Sequence, residues 1–284
     1  MGKRISKIKE VHKAKKKAPK RQPKAPKKPR LTVLKLGGSV VTKKSNPYTL
    51  SENLPRLAKE IRESRVRKLI IVHGGGSFGH YPAMKHKIQN GYEDKSQVFG
   101  FAETQKAMEV LNNHVVDALQ EVGIPAFPIQ PSAIVIMEDG KLKKLYSGIV
   151  KRSLEMGLVP VLYGVPALDL KKGFCILSGD EIINYLARDL KATRVLLASD
   201  VKGVMTADPK KEDAKLIKTV TSKNYKKLKL SSSKSSDATG GMWKKVHELL
   251  SLAKSGISSE IIDATVPGNL KRALKGEKLG TTIK

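Results

Sequence analysis

The sequence predicts an α/β fold, in the form of a three-layer α/β/α sandwich with a mainly parallel central sheet. From residue 31 onward, short runs rich in aliphatic and β-branched residues alternate with amphipathic helical stretches. This alternation is typical of a parallel sheet that helices cover on both faces. Several of the strand-like runs end in glycine or small polar residues, which is where open α/β sheets bind their ligands.

The individual elements can be placed in chain order from these patterns. Strands are predicted at residues 31–36, 68–72, 159–163, 174–177, 194–198 and 260–263, and helices at 51–64, 102–122, 181–190 and 241–254, with a short helix after 267. Thr49 and Glu52 have the spacing of a capping box before the first long helix. Asp139 and Gly140 form a strong two-residue turn signal, so residues 134–146 are predicted to form an antiparallel hairpin on the otherwise parallel sheet.

Residues 1–30 differ in composition from the rest of the chain. They hold 14 lysines and arginines against one acid, Glu10, and so carry +13 of the formal net charge of +29. Their prolines and the repulsion of like charges predict a disordered basic tail, with the folded domain beginning at Leu31. The tail is either a solvated extension or a non-specific, salt-dependent contact with a polyanion, since no aromatic residue is present in it to stack on bases.

Composition also argues against two classes of protein. The single cysteine, Cys175, rules out an internal disulfide and fits a reducing compartment, where it is most simply a core residue. No apolar run approaches the roughly 18 residues that span a bilayer, and no signal-peptide pattern opens the chain. We therefore expect a cytoplasmic protein without a membrane span.

Five short motifs lie where strand-like runs end or helices begin. In chain order they are Lys35-Leu36-Gly37-Gly38-Ser39, His73-Gly74-Gly75-Gly76-Ser77-Phe78-Gly79-His80, Ser178-Gly179-Asp180, Ser199-Asp200-Val201-Lys202-Gly203-Val204 and Asp237-Ala238-Thr239-Gly240-Gly241-Met242. Glycines let a chain approach a phosphate closely, and Lys35 can reach the same anion as a point charge. The first motif is not a P-loop, because its lysine precedes the glycines. Together the motifs indicate a phosphate-binding site.

The titratable residues of these motifs allow more than one interpretation. His73 is interpreted as a strand-end histidine that hydrogen-bonds the backbone, whereas an imidazole N–H of His80 can donate to an acceptor phosphate. Asp180 either caps the helix that begins beside it or holds lysines in position around a transferred phosphoryl group. Most other lysines are interpreted as solvated surface charges.

The five motifs in this order resemble those of the amino acid kinase family, and His80 at the end of the second motif resembles its isopentenyl phosphate kinase branch. The resemblance covers almost all of residues 31–284. It implies the amino acid kinase fold, with an acceptor-binding N-terminal half at about 31–175 and an ATP-binding C-terminal half at about 176–284. ATP and Mg²⁺ are the implied cofactors, and a homodimer is the common assembly.

The resemblance also implies roles for individual residues. The catalytic residues would be Lys35, Lys44, His80 and Asp180, with Lys44 stabilising the transition state. Contacts with the acceptor would come from Gly74, Gly79, His80 and Gly179. Contacts with ATP would come from Lys35, Leu36, Gly37, Gly38, Ser39, Gly75, Asp200, Gly241 and Lys245. No residue is predicted to bind a metal directly.

Acceptors differ within the family, and the His80-type loop is shared by isopentenyl phosphate kinases and fosfomycin kinases. An apolar stretch after it favours isopentenyl phosphate, although core packing explains its candidate pocket residues equally well: Val98, Phe99, Phe101 and Met108. The implied reaction is direct in-line transfer from ATP, giving isopentenyl diphosphate in isoprenoid biosynthesis of the archaeal type. Two alternatives stay open, namely a fosfomycin-type or other small-molecule kinase of the same fold, and a nucleic-acid-associated protein that acts through its basic tail.

Overall fold

A computed structural model describes residues 30–43, 45–207, 214–228 and 241–284 of the chain. The predicted tail therefore lies outside the described residues except for Arg30. Lys44 and residues 237–240 of the fifth motif also lie outside them.

The described elements alternate between strands and helices, as predicted. The strands are β1 (Leu31–Leu36), β2 (Lys68–His73), β3 (Ala126–Pro128), β4 (Val135–Glu138), β5 (Lys141–Leu145), β6 (Val159–Tyr163), β7 (Val165–Asp169), β8 (Gly173–Leu177), β9 (Arg194–Ser199), β10 (Thr219–Val220), β11 (Ser258–Asp263) and β12 (Thr281–Ile283). The helices are α1 (Gly38–Val41), α2 (Asn53–Ser64), α3 (Gly76–Lys85), α4 (Ser96–Glu121), α5 (Gly148–Glu155), α6 (Gly179–Asp189), α7 (Gly241–Ala253) and α8 (Asn269–Leu274).

The larger sheet has β1 at its centre. Within the described residues its strand order is β10-β12-β11-β9-β1-β2-β6-β3, and β1 pairs in parallel with both β2 and β9. Only the pairing of β12 with β11 is antiparallel among the described pairs of this sheet. The predicted mainly parallel sheet is thus confirmed.

Alternating side chains of the central strand point into two different cores. Val33 lies in the core that α6 and α7 cover, whereas Leu34 and Leu36 lie in the core that α2, α4 and α8 cover. All six residues of β1 are buried, as a strand covered on both faces requires. This arrangement confirms the three-layer α/β/α sandwich.

The predicted hairpin forms, but it does not join the larger sheet. Asp139 and Gly140 both have positive φ, 53° and 72°, as a two-residue turn between antiparallel strands requires. The hairpin of β4 and β5 belongs to a second sheet of order β5-β4-β7-β8. Its predicted placement on the parallel sheet is therefore wrong.

A buried carboxylate explains where the hairpin sits. Asp169 accepts hydrogen bonds from the backbone N–H groups of Asp139 (3.1 Å) and Gly140 (2.8 Å) in one turn. It also accepts from the N–H groups of Lys171 and Lys172, each at 2.8 Å, in the turn between β7 and β8. One side chain therefore joins the tips of both hairpins, and satisfies backbone donors that would otherwise lack partners in the protein.

Cys175 of β8 is a core residue, as predicted. Its side chain is buried, and burial together with the neighbouring Asp169 raises the pKa of its thiol to about 12. A thiol that stays protonated at neutral pH is a poor nucleophile. This residue therefore contributes packing to the second sheet.

Some predicted helix boundaries change in the structure. The first long helix begins at Asn53 with Glu52 at its N-cap, so Thr49 and Glu52 both precede the helix and the predicted capping box does not form. The Thr49 hydroxyl donates to Pro47 O at 3.0 Å. The next long helix begins at Ser96 rather than at residue 102. No helix in the described ranges is long and apolar enough to cross a membrane.

Candidate active site

Three of the motifs meet at the carboxyl ends of the central strands. Leu36, the last residue of β1, lies in register with His73 of β2 and Ala198 of β9. The N–H of Gly37 donates to Ala198 O at 2.8 Å, and the N–H of Gly74 donates to Leu36 O at 2.9 Å. The loops that follow β1 and β2 therefore leave the sheet side by side, next to the end of β9.

The first two motifs touch backbone to backbone, and only glycine permits this contact. A Cβ on Gly38 would lie 2.4 Å from Gly76 N, and a Cβ on Gly74 would lie 2.7 Å from Gly38 N. Gly76 has a φ of +47°, and a Cβ there would lie 2.0 Å from Thr42 Oγ1. These glycines are therefore required by packing between the loops, in addition to any contact with a ligand.

A buried threonine joins the two loops. The Thr42 hydroxyl donates to Gly38 O at 2.8 Å and accepts from the N–H of Ser77 at 3.0 Å. Its side chain is 1% exposed, so both hydrogen bonds are shielded from water. The sequence offers no signal that separates Thr42 from other threonines, and it was not predicted as a site residue.

The second motif is partly helical rather than a loop throughout. Helix α3 begins at Gly76, with Gly75 at its N-cap position. A Cβ on Gly79 would lie 2.8 Å from the sulfur of Met108, so α3 packs closely on α4 at that point. The next residue, His80, is exposed and is accessible to a ligand.

The third motif brings a carboxylate to the lysine of the first motif. The ammonium of Lys35 lies 2.6 Å from Asp180 Oδ1, and the two side chains are 11% and 15% exposed. The N-terminus of α6 is capped by Ser178 and Glu181, which form a reciprocal capping box. Because Ser178 supplies the cap, Asp180 is free to pair with Lys35.

Burial and a second lysine shift the pKa values of Lys35 and Asp180. Burial lowers the pKa of Lys35, and Lys245 lowers it further, while Asp180 opposes both effects. Burial raises the pKa of Asp180, but Lys35 and Lys245 outweigh it and hold this pKa below its usual value. The carboxylate therefore remains ionised between two cations that would otherwise repel each other.

Helix α7 supplies the second lysine and an acid that the sequence analysis missed. The helix begins at Gly241 of the fifth motif and carries the half-buried Lys245. Glu248 lies on the same helix and interacts electrostatically with Asp180 and Lys35, and its pKa is raised by burial first and by Asp180 next. Its spacing from Lys245 was the available signal, but a lysine and a glutamate three residues apart on a helix are usually an ordinary surface pair.

The remaining predicted residues are placed as follows. Leu36 is buried, Ser39 is half-buried in α1, and Asp200 is exposed directly after β9. A Cβ on Gly179 would lie 3.4 Å from His73 O and 3.7 Å from Lys35 Cε, so the start of α6 packs against the ends of β1 and β2. Lys44, predicted to stabilise the transition state, lies outside the described residues.

His73 has the structural role that the sequence analysis favoured. Its Nδ1 lies 3.1 Å from Gly74 O and its Nε2 lies 3.2 Å from Asn112 Oδ1, while its ring stacks on Tyr163 at 5.4 Å. The side chain is fully buried, and burial lowers its pKa to about 4. The imidazole is therefore neutral at physiological pH.

The four apolar residues suggested as pocket walls have different surroundings. Val98 and Phe99 are exposed, whereas Met108 is buried beneath Gly79. Phe101 packs on Phe174 with ring centroids 5.3 Å apart. Core packing therefore accounts for Met108, and the exposed pair would need a ligand or partner to be covered.

Comparison with known proteins agrees with this geometry. The family model described as "Amino acid kinase family" matches residues 30–263, so the chain belongs to the amino acid kinase family. Within that family it is similar to isopentenyl phosphate kinases. It is 43% identical over 263 residues to the isopentenyl phosphate kinase of Methanothermobacter thermautotrophicus, covering 89% of this chain and 98% of that one. It is 40% identical over 271 residues to that of Methanocaldococcus jannaschii, with the same coverage.

Solved structures lead to the same branch of the family. An isopentenyl phosphate kinase crystal structure aligns with a TM-score of 0.79 at 40% identity, covering 89% of this chain and 100% of that chain. A structure described as an isopentenyl phosphate kinase substrate complex aligns with a TM-score of 0.74 at 27% identity and the same coverage. The fold of the described domain is therefore that of this branch.

The contact between the loops predicts the effect of adding one methyl group. Gly38→Ala would push the first loop away from Gly76, so we expect kinase turnover to fall about 100-fold and the free energy of unfolding to fall by about 1–3 kcal/mol. Gly148→Ala is the matched control, because a Cβ there meets no described atom within 4 Å. Steady-state rates and urea unfolding test both variants, and equal turnover of the two variants would contradict the expectation.

The buried neutral His73 predicts a pH-dependent stability. Its pKa is about 4 in the folded protein and near 6.5 in an unfolded chain, so the unfolded state binds a proton first as the pH falls. Its stabilising contribution is therefore complete above pH 6.5 and lost progressively towards pH 4, by about 3 kcal/mol in total. Urea unfolding across this range should show a steeper loss for the natural protein than for His73→Gln, and parallel curves would contradict the assignment.

Proposed function

We propose that the protein is a kinase that transfers the γ-phosphoryl group of ATP to isopentenyl phosphate, giving isopentenyl diphosphate and ADP. The observation that carries this proposal is the buried pair of Lys35 and Asp180 beside two glycine loops in mutual contact. It occurs in a chain that is 43% identical to an isopentenyl phosphate kinase over nearly all of its folded domain.

The chemistry requires charge neutralisation more than proton removal. A phosphate monoester has a second pKa near 6, so at neutral pH its oxygen is already a nucleophile without a general base. That oxygen attacks the γ-phosphorus while the bond to the bridging oxygen of ADP breaks, and no phosphoenzyme forms. The barrier comes from bringing two anions together, which lysines and backbone N–H groups lower.

The described residues divide between donor and acceptor in this proposal. Lys35 and Lys245 hold the transferred phosphoryl group, and Asp180 keeps these two cations close together. The ATP side is completed by residues 36–39, Gly75, Asp200 and Gly241. These lie in the C-terminal half at about 176–284, at the end of β1 and in the loops that follow β1 and β2. Gly74, Gly79, His80 and Gly179 hold the acceptor phosphate, chiefly on the half at about 31–175. Lys44 stabilises the transition state.

Mg²⁺ fits this proposal as a companion of ATP rather than as a resident ion. The described residues contain no group of three or more His, Cys, Asp or Glu side chains that could hold a metal ion. Asp180 is paired with Lys35, and the surrounding glycine amides and lysines are partners for anions. Mg²⁺ held by phosphate oxygens and water would supply further charge neutralisation.

A homodimer and a cytoplasmic location belong to the same proposal: the homodimer follows from the family resemblance, and the location follows from the composition of the sequence. Exposed apolar side chains such as Phe99 and Leu168, each more than two-thirds exposed, are compatible with an assembly larger than a monomer. A fosfomycin-type kinase is the nearest alternative, since the geometry of the phosphate-binding loops would serve either acceptor.

An acceptor panel tests the proposed reaction. ADP release is measured with ATP, Mg²⁺ and, in turn, isopentenyl phosphate, fosfomycin, uridine monophosphate, acetylglutamate and aspartate. We expect strong preference for isopentenyl phosphate and a fall of about 100-fold in kcat/KM for His80→Ala, because a donor to the acceptor phosphate is lost.

The control for this variant is His114→Ala, since His114 is an exposed histidine on α4. It should retain natural kcat/KM. Turnover of fosfomycin in preference to isopentenyl phosphate would replace the acceptor while keeping the fold and mechanism. Absence of turnover with every acceptor would overturn the proposed kinase activity.

The basic tail is proposed to bind polyanions without taking part in catalysis. Residues 1–30 carry a net charge of +13, which predicts binding that weakens steeply with salt. Deletion of residues 1–30 removes +13 of the +29 net charge, so it should lower the salt concentration at which the protein elutes from heparin and leave kcat/KM unchanged. Loss of turnover on deletion would show instead that the tail acts in catalysis.

A further inference from the structure

Helices α6 and α7 carry polar side chains that meet at three successive levels. At the first level, which is the proposed phosphoryl site, Asp180 interacts electrostatically with Lys245. At the second level, Asn184 Nδ2 donates to Glu248 Oε2 at 3.3 Å. At the third level, Arg188 donates to the hydroxyl of Ser251 on α7.

The spacing along both helices makes these levels one continuous series, here called the α6–α7 ladder: Asp180, Asn184 and Arg188 on α6, and Lys245, Glu248 and Ser251 on α7. Residues three or four apart lie on one face of a helix, so each helix presents its three side chains to the other. Both helices also bury apolar residues in the same core. Apolar packing alone would let α7 slide slightly along α6, whereas directional hydrogen bonds hold the two helices in one register.

Glu248 is the middle member of the ladder and the only acid in the sequence of α7. Its partner Asn184 has its Oδ1 atom buried with no hydrogen-bond partner in the described part of the chain. The amide of Asn184 is therefore held through its nitrogen, on the side of Glu248. A buried oxygen without a hydrogen-bond partner costs free energy. The hydrogen bond from Asn184 to Glu248 forms despite that cost.

We infer that Glu248 is a positioning residue for phosphoryl transfer: through Asn184 it fixes the register of α7 on α6, and so holds Lys245 beside the Lys35–Asp180 pair. This inference rests on the proposed function for its chemistry. The register of the two helices and the charge balance of the cluster can be tested separately from the identity of the acceptor.

Glu248 also balances the charge of the cluster. The cations that face Lys35 and Asp180 are Lys244 and Lys245 of α7, and the acids of the cluster are Asp180 and Glu181 of α6 and Glu248 of α7. Burial lowers the pKa of Lys35 and Lys245 adds to that effect, whereas Asp180 raises this pKa and the carboxylate of Glu248 adds a smaller rise. Without that carboxylate, Lys35 would lose its proton at a lower pH.

The test separates charge from shape. Glu248→Gln keeps the length of the side chain and an oxygen that can accept from Asn184, so it removes only the charge. Glu248→Leu removes both the charge and the hydrogen bond that fixes the register, and it is expected to lower kcat/KM for ATP further. Combining Glu248→Gln with Asn184→Asp returns one carboxylate to the same level of the ladder. Glu155→Gln, on the surface helix α5, is the matched control. For each variant, kcat/KM for ATP is measured against pH, and binding of a non-hydrolysable ATP analogue is measured by calorimetry without acceptor.

We expect Glu248→Gln to lower kcat/KM for ATP about tenfold, which corresponds to about 1.4 kcal/mol. Its alkaline limb should move to lower pH, because Lys35 loses its proton earlier, and binding of the ATP analogue should weaken. The double variant should recover most of both effects, and Glu155→Gln should match the natural protein.

Two results would overturn the inference. One is that Glu248→Gln and Glu248→Leu both match Glu155→Gln in rate, pH profile and nucleotide affinity. The other is that Glu248→Gln loses activity with its alkaline limb unmoved and with no recovery in the double variant, as general damage to the fold would give. If the natural protein does not phosphorylate isopentenyl phosphate, the proposed function fails, while calorimetry still decides whether Glu248 supports nucleotide binding.

Discussion

The close approach of Gly38 to Gly76 is the constraint on which the rest of the site depends. Neighbouring strands of a sheet lie about 4.8 Å apart, so the loops that follow β1 and β2 must turn within that spacing. A side chain on either loop would force the loops apart, because a Cβ on Gly38 would lie only 2.4 Å from Gly76 N. Because the loops touch, the end of β1 and the start of α3 lie at one edge of the sheet.

Charge in the site comes from elements that are distant in the chain. Lys35 belongs to the central strand, Asp180 to the first turn of α6, and Lys245 to α7. A buried lysine in the middle of a sheet is costly, and its carboxylate partner offsets that cost only if α6 is held in place. The Ser178 cap fixes the start of α6, and Thr42 ties the glycine loops together, so small polar contacts support the cluster of charges.

Sequence patterns predicted what depends on local chemistry, and missed what depends on packing. The aliphatic runs of β1 and β6 gave their strand limits correctly, because a strand buried on both faces needs continuous apolar residues. The glycine-rich sequence suggested a loop after β2, but α3 begins within it at Gly76. Glycine occurs there because the backbone of Gly38 packs against it, and not because the chain stays irregular. Glu248 became visible only when α7 packed on α6. The residue roles carried over from the family, Lys44 among them, remain predictions.

The pairing of β1 has a consequence for how the chain is made. Val33 pairs with Ile70 on one side and with Val195 on the other, so the second neighbour emerges from the ribosome long after the first. Until β9 is synthesised, one side of the central strand has backbone groups without partners, a state prone to strand addition by other chains. A nascent chain of this protein should therefore need protection by chaperones through most of its translation, and slowing of translation before β9 would prolong that need.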